Sequence, residues 1–155
     1  MSVLPRTLIH LTFETKFNQK IPTLPLNITN LTLGLEFEQQ YDIPSNIKYL
    51  KLNSNNQYII NYLPNSIAEL ELELGEYFDL QIENLPTSIK KLIIDKKSVY
   101  NLDLNCLPDF IEELHLNRFY KKRISRIPSN LKKLICDKKY PHKNDFRMCI
   151  IETYL

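Results

Sequence analysis

The chain has 155 residues, 43% of them hydrophobic and 25% charged, with a net charge of +2. That is long enough for one domain with its own core, too apolar for a disordered chain, and too weakly charged to imply a polyanion partner. No apolar run approaches the ~20 residues of a membrane-spanning helix, and three cysteines at unrelated spacings (Cys106, Cys136, Cys149) argue against a disulfide framework and for a reducing compartment, the cytoplasm.

The opening Met1-Ser2-Val3-Leu4-Pro5-Arg6 lacks a charged segment followed by an apolar stretch, so no secretory signal is expected. At Leu4 a pattern begins that recurs along the chain: [Leu/Ile]-Pro-x-x-[Leu/Ile]-x-x-Leu-x-apolar. The first unit carries Leu4, Leu8, Leu11 and Phe13, and the second Leu24, Ile28, Leu31 and Leu33. The third carries Ile43, Ile47, Leu50 and Leu52, and the fourth Leu63, Ile67, Leu70 and Leu72. Leu85, Ile89, Leu92 and Ile94 follow, then Leu107, Ile111, Leu114 and Leu116, and last Ile127, Leu131, Leu134 and Cys136. Units start at 4, 24, 43, 63, 85, 107 and 127.

A second register fills the other half of most units, an aromatic residue four before an apolar one. It pairs Phe17 with Ile21, Phe37 with Tyr41, Phe78 with Ile82, Tyr100 with Leu104 and Tyr120 with Ile124. The third unit keeps Ile60 but has Asn56 in the aromatic place. Beyond Tyr140-Pro141 the pattern stops. Residues 1–141 are therefore expected to form a repeat solenoid and residues 142–155 a C-terminal cap.

A unit of this length cannot bury an apolar face alone, so units must stack, each touching only its neighbours. The Leu-x-apolar pair has period 2, which points both side chains inward and the residue between them outward. Proline lacks an N–H and belongs in the corner before the strand. The expectation is a leucine-rich-repeat-like solenoid of about seven coils. Its open face is a parallel sheet, and its convex side has extended or short 3₁₀ segments.

Ile67-Ala68-Glu69-Leu70-Glu71-Leu72 has the Leu-x-x-Leu-x-Leu core of leucine-rich repeats. The Leu-Pro opening most resembles the FNIP repeat, named for a Phe-Asn-x-x-Ile segment. Phe17-Asn18-Gln19-Lys20-Ile21 matches that segment in full, and Tyr100-Asn101-Leu102-Asp103-Leu104 matches with conservative changes. The family occurs in social amoebae and in giant DNA viruses of amoebae, so the resemblance implies host cytoplasm if the chain is viral. It also implies a protein-interaction module. In viral members an F-box often precedes the repeats, which implies adaptors for ubiquitin ligases. With Met1 three residues ahead of the first repeat, no F-box is expected in this chain. Ordinary leucine-rich repeats place Asn three residues after the last strand leucine. Here that position holds Lys16, Glu36, Asn55, Gly75, Lys97, Phe119 and Lys139, so the usual asparagine ladder is absent.

The open face is the default binding surface of such a solenoid. The residues expected to meet a protein partner are Tyr49, Lys51, Glu69, Glu71, Glu73, Lys91, Ile93, Glu113 and His115. Three glutamates along one strand read either as a solvated strand or as an acidic stripe steering a basic partner. A basic run with interleaved aromatics (Arg118, Phe119, Tyr120, Lys121, Lys122, Arg123, later Lys138, Lys139 and Tyr140) has the outline of a nucleic-acid footprint. Tyr120 falls in the core register, however, so nucleic acid is not expected. His115 has Ile93 and Ile135 as column neighbours, and no second ligand or nucleophile in register. No catalytic, metal or cofactor site is expected, nor a membrane partner. The alternative to protein binding is self-association through the solenoid ends, first of all at the N-terminal edge.

Overall fold

The computed structural model describes residues 4–73, 75, 80–99, 101 and 103–155. Each Leu-Pro or Ile-Pro opening becomes a turn. The proline carbonyl accepts the N–H three residues on, at Leu8, Ile28, Ile47, Ile67, Ile89, Ile111 and Leu131, over 3.0–3.3 Å. The turn reverses the chain into a strand, and the strands are β1 (His10–Phe13), β2 (Asn30–Leu33), β3 (Tyr49–Leu52) and β4 (Glu69–Leu72). They continue with β5 (Lys91–Ile94), β6 (Glu113–His115), β7 (Lys133–Asp137) and β8 (Ile150–Tyr154).

The eight strands lie in chain order in one sheet, every neighbouring pair parallel. Leu11, Leu31, Leu50, Leu70, Leu92, Leu114, Leu134 and Ile151 stand in one register column. From Leu31 to Leu134 these side chains are fully buried. Just ahead of β1 to β6, one carbonyl takes two N–H groups from the next coil: Lys48 O, for example, accepts from Ala68 and Glu69 at 2.8 and 3.2 Å. The corner thus keeps its backbone groups satisfied without strand geometry.

After the strand, the side chain of Asp95, Asn117 or Asp137 accepts the backbone N–H two residues on, at 2.7–3.0 Å. This Asx turn bends the chain toward the convex side. There Phe37, Tyr120 and Tyr140 are buried, with Phe17 stacked 6.1 Å from Phe37 and Tyr120 6.0 Å from Tyr140. Ile82 and Leu104 are buried too, while their aromatic partners Phe78 and Tyr100 lie outside the described residues.

The asparagine of the Phe-Asn-x-x-Ile segment does the work assigned to a ladder elsewhere. Asn18 Oδ1 accepts the Glu38 N–H at 3.0 Å, and Asn101 Oδ1 the Lys121 N–H at 3.3 Å, each in the following coil. Inter-coil asparagine bonds therefore exist, shifted to another position of the unit.

One return segment departs from the extended or 3₁₀ expectation. In the third unit the chain makes a short α-helix, α1 (Gln57–Asn61). Asn56 causes it: its Oδ1 caps the helix by accepting the Ile59 N–H, while its Nδ2 donates to Phe37 O and Gln39 O of the coil below. Ile59 and Ile60 of this helix are both buried.

Past Pro141 the tail makes a 3₁₀ turn at Lys143–Asp145 and buries Phe146, whose ring lies 6.4 Å from Tyr140. It then adds β8, which pairs with β7 over five residues although it carries no repeat motif. Ile150, on the open face of β8, is 67% exposed.

Gly34 follows β2 against the turn of the first coil. A Cβ built there would lie 2.3 Å from Glu14 O and 2.8 Å from Thr15 N, so backbone contact leaves no space for a side chain.

Candidate partner-binding face

Strand alternation sends every second residue outward, and the parallel register lines these up across coils. One column runs Tyr49, Glu69, Lys91, Glu113, Lys133, Ile150, and the next runs Lys51, Glu71, Ile93, His115, Ile135, Glu152. The residues expected on this face therefore do stand together, half-exposed, on β3 to β6, with Glu73 just beyond β4.

Their electrostatics differ from a bare acidic stripe. Glu69 pairs with Lys91 at 3.1 Å. Glu71 pairs with Lys51 at 2.7 Å and accepts the Tyr49 hydroxyl at 2.5 Å. Glu73 meets Lys51 at 2.8 Å. Glu113 lies 2.5 Å from His115 Nε2 and 3.9 Å from Lys91. Charges that repeat along β4 are thus answered by opposite charges on β3 and β5. A steering field needs uncompensated charge, and these pairs leave little of it.

Burial alone would lower the Lys51 ammonium, but its bonds to Glu71 and Glu73 outweigh that and raise it from 10.5 to about 12. A cation with a raised folded pKa contributes its pairing in full below the unfolded value and loses it as pH climbs through the folded one. The stability advantage of the wild type over Lys51→Met should therefore shrink between pH 10.5 and about 12. Paired thermal melts across that window check it; an advantage constant with pH would contradict the pairing. Glu113 has the opposite sign. Burial opposes the shift, yet the His115 bond and the Lys91 charge hold its carboxyl below the usual range, so its contribution fades on acidification.

Between the lower strands the face hollows. A depression of about 170 Å³ is lined by Ile93, Asp95, His115, Ile135 and Tyr154 among others. Tyr154 comes from β8 and donates its hydroxyl to Leu116 O, bridging over β7. Tyr154 and Glu152 were not legible as face residues, because the tail drops the repeat that located the others. The β-branched and aromatic composition of Ile150-Ile151-Glu152-Thr153-Tyr154 was the available signal.

Among the described residues, no group of three or more His, Cys, Asp or Glu could hold a metal ion. Burial pushes the Cys106, Cys136 and Cys149 thiols up, which keeps them protonated and poorly nucleophilic. Among the described residues, no helix is long and apolar enough to cross a membrane.

Two overlapping segments, residues 17–52 and 39–73, match the profile of the FNIP Repeat. No curated protein matches the chain. The first segment starts at Phe17 and covers β2 and β3, the second covers β3 and β4, and each includes the return stretches ahead of its two strands. The family profile thus matches residues 17–73, and the leucines in register through seven coils make the chain a leucine-rich-repeat-like solenoid.

Proposed function

We propose that this solenoid is a non-enzymatic protein-interaction module whose partner docks across the open sheet face. The observation that carries the reading is the contrast between columns. The inward columns repeat leucine coil after coil, while the outward columns change chemistry at nearly every strand. Repetition serves stacking; variety at a flat, pre-organised surface serves recognition. Within that face the depression between Ile93, His115 and Ile135 offers an apolar floor with a polar rim, the anatomy of an interface centre.

In its most specific form, the reading is substrate recognition for a ubiquitin ligase, by analogy with FNIP proteins that carry an F-box. The same reading puts the chain in the cytoplasm, a reducing compartment that suits three free cysteines.

The test is capture of partners from the source cell on immobilised wild type and on Ile93→Glu/His115→Ala, two outward substitutions that leave the core untouched. The expected result is one or more partners retained by wild type and lost from the double variant, with both proteins melting alike. Equal retention by both would remove the open face as the docking surface.

A second reading is self-association end to end. β1 and β8 each have one strand neighbour, and Ile9, Met148 and Ile150 are exposed near those edges. Light scattering that shows concentration-dependent oligomers, with no partner captured, would favour it over the first.

A further inference from the structure

Among the described residues, a cluster of cations without a close carboxylate partner lies off the sheet face, on the rim where strands give way to turns. Three consecutive Asx turns stack there. In each, the Asp or Asn side chain turns inward to hold the backbone, and the next two residues are thrown out to solvent. Those residues are Lys96 and Lys97, Arg118 and Phe119, Lys138 and Lys139, all exposed. Parallel coils sit about 4.8 Å apart, so the cations form a column with repulsion between neighbours.

Counter-ions are scarce. Asp137, its side chain only 10% exposed, approaches Arg118 at 4.0 Å, but one of its oxygens already holds the Lys139 N–H. Among the described residues, no carboxylate lies within ion-pair distance of Lys121, Lys138 or Lys139. On the open face, by contrast, Lys51, Lys91 and Lys133 are all paired.

The rim is also hollow. A cavity of about 600 Å³ opens between the last two turns, and Arg118, Phe119, Lys121, Lys138, Lys139 and Pro141 stand around it. Phe119 is half-exposed, whereas Tyr120 and Tyr140 are only 1–2% exposed and offer no open ring face.

We propose that this rim cavity binds an acidic segment of a partner protein that carries one apolar side chain. The carboxylates would meet Arg118, Lys121, Lys138 and Lys139, and the apolar side chain would rest on Phe119 and Pro141. Single-stranded nucleic acid fits less well, because successive bases need successive aromatic faces and only Phe119 offers one. The site is separate from the sheet face, and either can fail without the other.

The probe is a short fluorescent peptide of Glu and Asp with a central Leu. It is compared with the same peptide carrying Gly in place of Leu, and with a single-stranded oligonucleotide of equal charge. Anisotropy is read at low and at physiological salt on the full chain, on Lys138→Glu/Lys139→Glu, on Phe119→Ala, and on Ile93→Glu as a sheet-face control. The expected pattern is tight binding of the Leu peptide that weakens with salt, and a loss of about tenfold or more in the double lysine variant. Phe119→Ala should abolish the preference for Leu over Gly while leaving the salt dependence alone, and Ile93→Glu should bind as wild type does. Unaltered melting curves show that the variants fold; a variant that does not is replaced by Lys138→Gln/Lys139→Gln. No binding by wild type, or equal binding by the double lysine variant, would overturn the proposal. So would an oligonucleotide that binds more tightly than the Leu peptide.

Discussion

Leu70→Asp should abolish cooperative folding. Leu70 is fully buried at mid-sheet, in register between Leu50 and Leu92. Replacing it removes about 1.5–3 kcal/mol of apolar burial. It also leaves a carboxyl group in the core with no partner, which costs roughly 2–7 kcal/mol even when protonated. Whole domains are typically stable by only about 5–15 kcal/mol. Position multiplies the damage, because a coil touches only its neighbours and a break at β4 cuts the stack in two. Leu70→Met, which conserves volume, should cost under about 1.5 kcal/mol and melt cooperatively. Circular dichroism melts of the pair settle the matter. A soluble Leu70→Asp chain with a sharp transition would mean that the leucine column does not hold the coils together.

Gly34→Val should loosen one end of the molecule while sparing the rest. The added Cβ would fall 2.3 Å from Glu14 O and 2.5 Å from the Glu14 carbonyl carbon, well inside contact distance. Neither partner is a flexible side chain, so relief requires the first coil to move. That strains the Glu36 N–H to Thr15 O bond of 2.9 Å and then the β1–β2 ladder. Overpacking of this kind costs about 1–3 kcal/mol, and the first coil is the least buried, with Leu4, Leu8 and Leu11 all partly exposed. Hydrogen exchange should therefore quicken across residues 4–20 and stay unchanged from β3 onward. Protection lost evenly along the whole sheet, or kept everywhere, would contradict a local role for Gly34.

Much of the fold was readable because the physical demand repeats. Every coil must offer the same floor and ceiling, so Leu, Ile and Pro recur at fixed positions and one good unit predicts the next. What failed to show was whatever depends on the neighbour rather than on the unit. Glu69, Glu71 and Glu73 look like an acidic stripe when followed along the chain, but pairing runs across strands, and Lys51 and Lys91 sit 18–22 positions away. Asn56 looked like a defect in the aromatic column and is instead a cap with bonds to the coil below. Inter-coil asparagine bonds stand not at the customary place after the strand but beside the aromatic, at Asn18 and Asn101. β8 escaped for the plainest reason: it meets no repeat, and its place is set by the open edge of β7. Phe78 and Tyr100 lie outside the described residues.

The coil-upon-coil register also bears on how such a protein changes size. Since β3 and β5 present the same leucine spacing to β4 from either side, whole units are interchangeable parts. Excision or duplication of one between prolines would shorten or lengthen the molecule without redesigning its interior. The breadth of the open sheet face can then change while the hidden leucine columns stay the same.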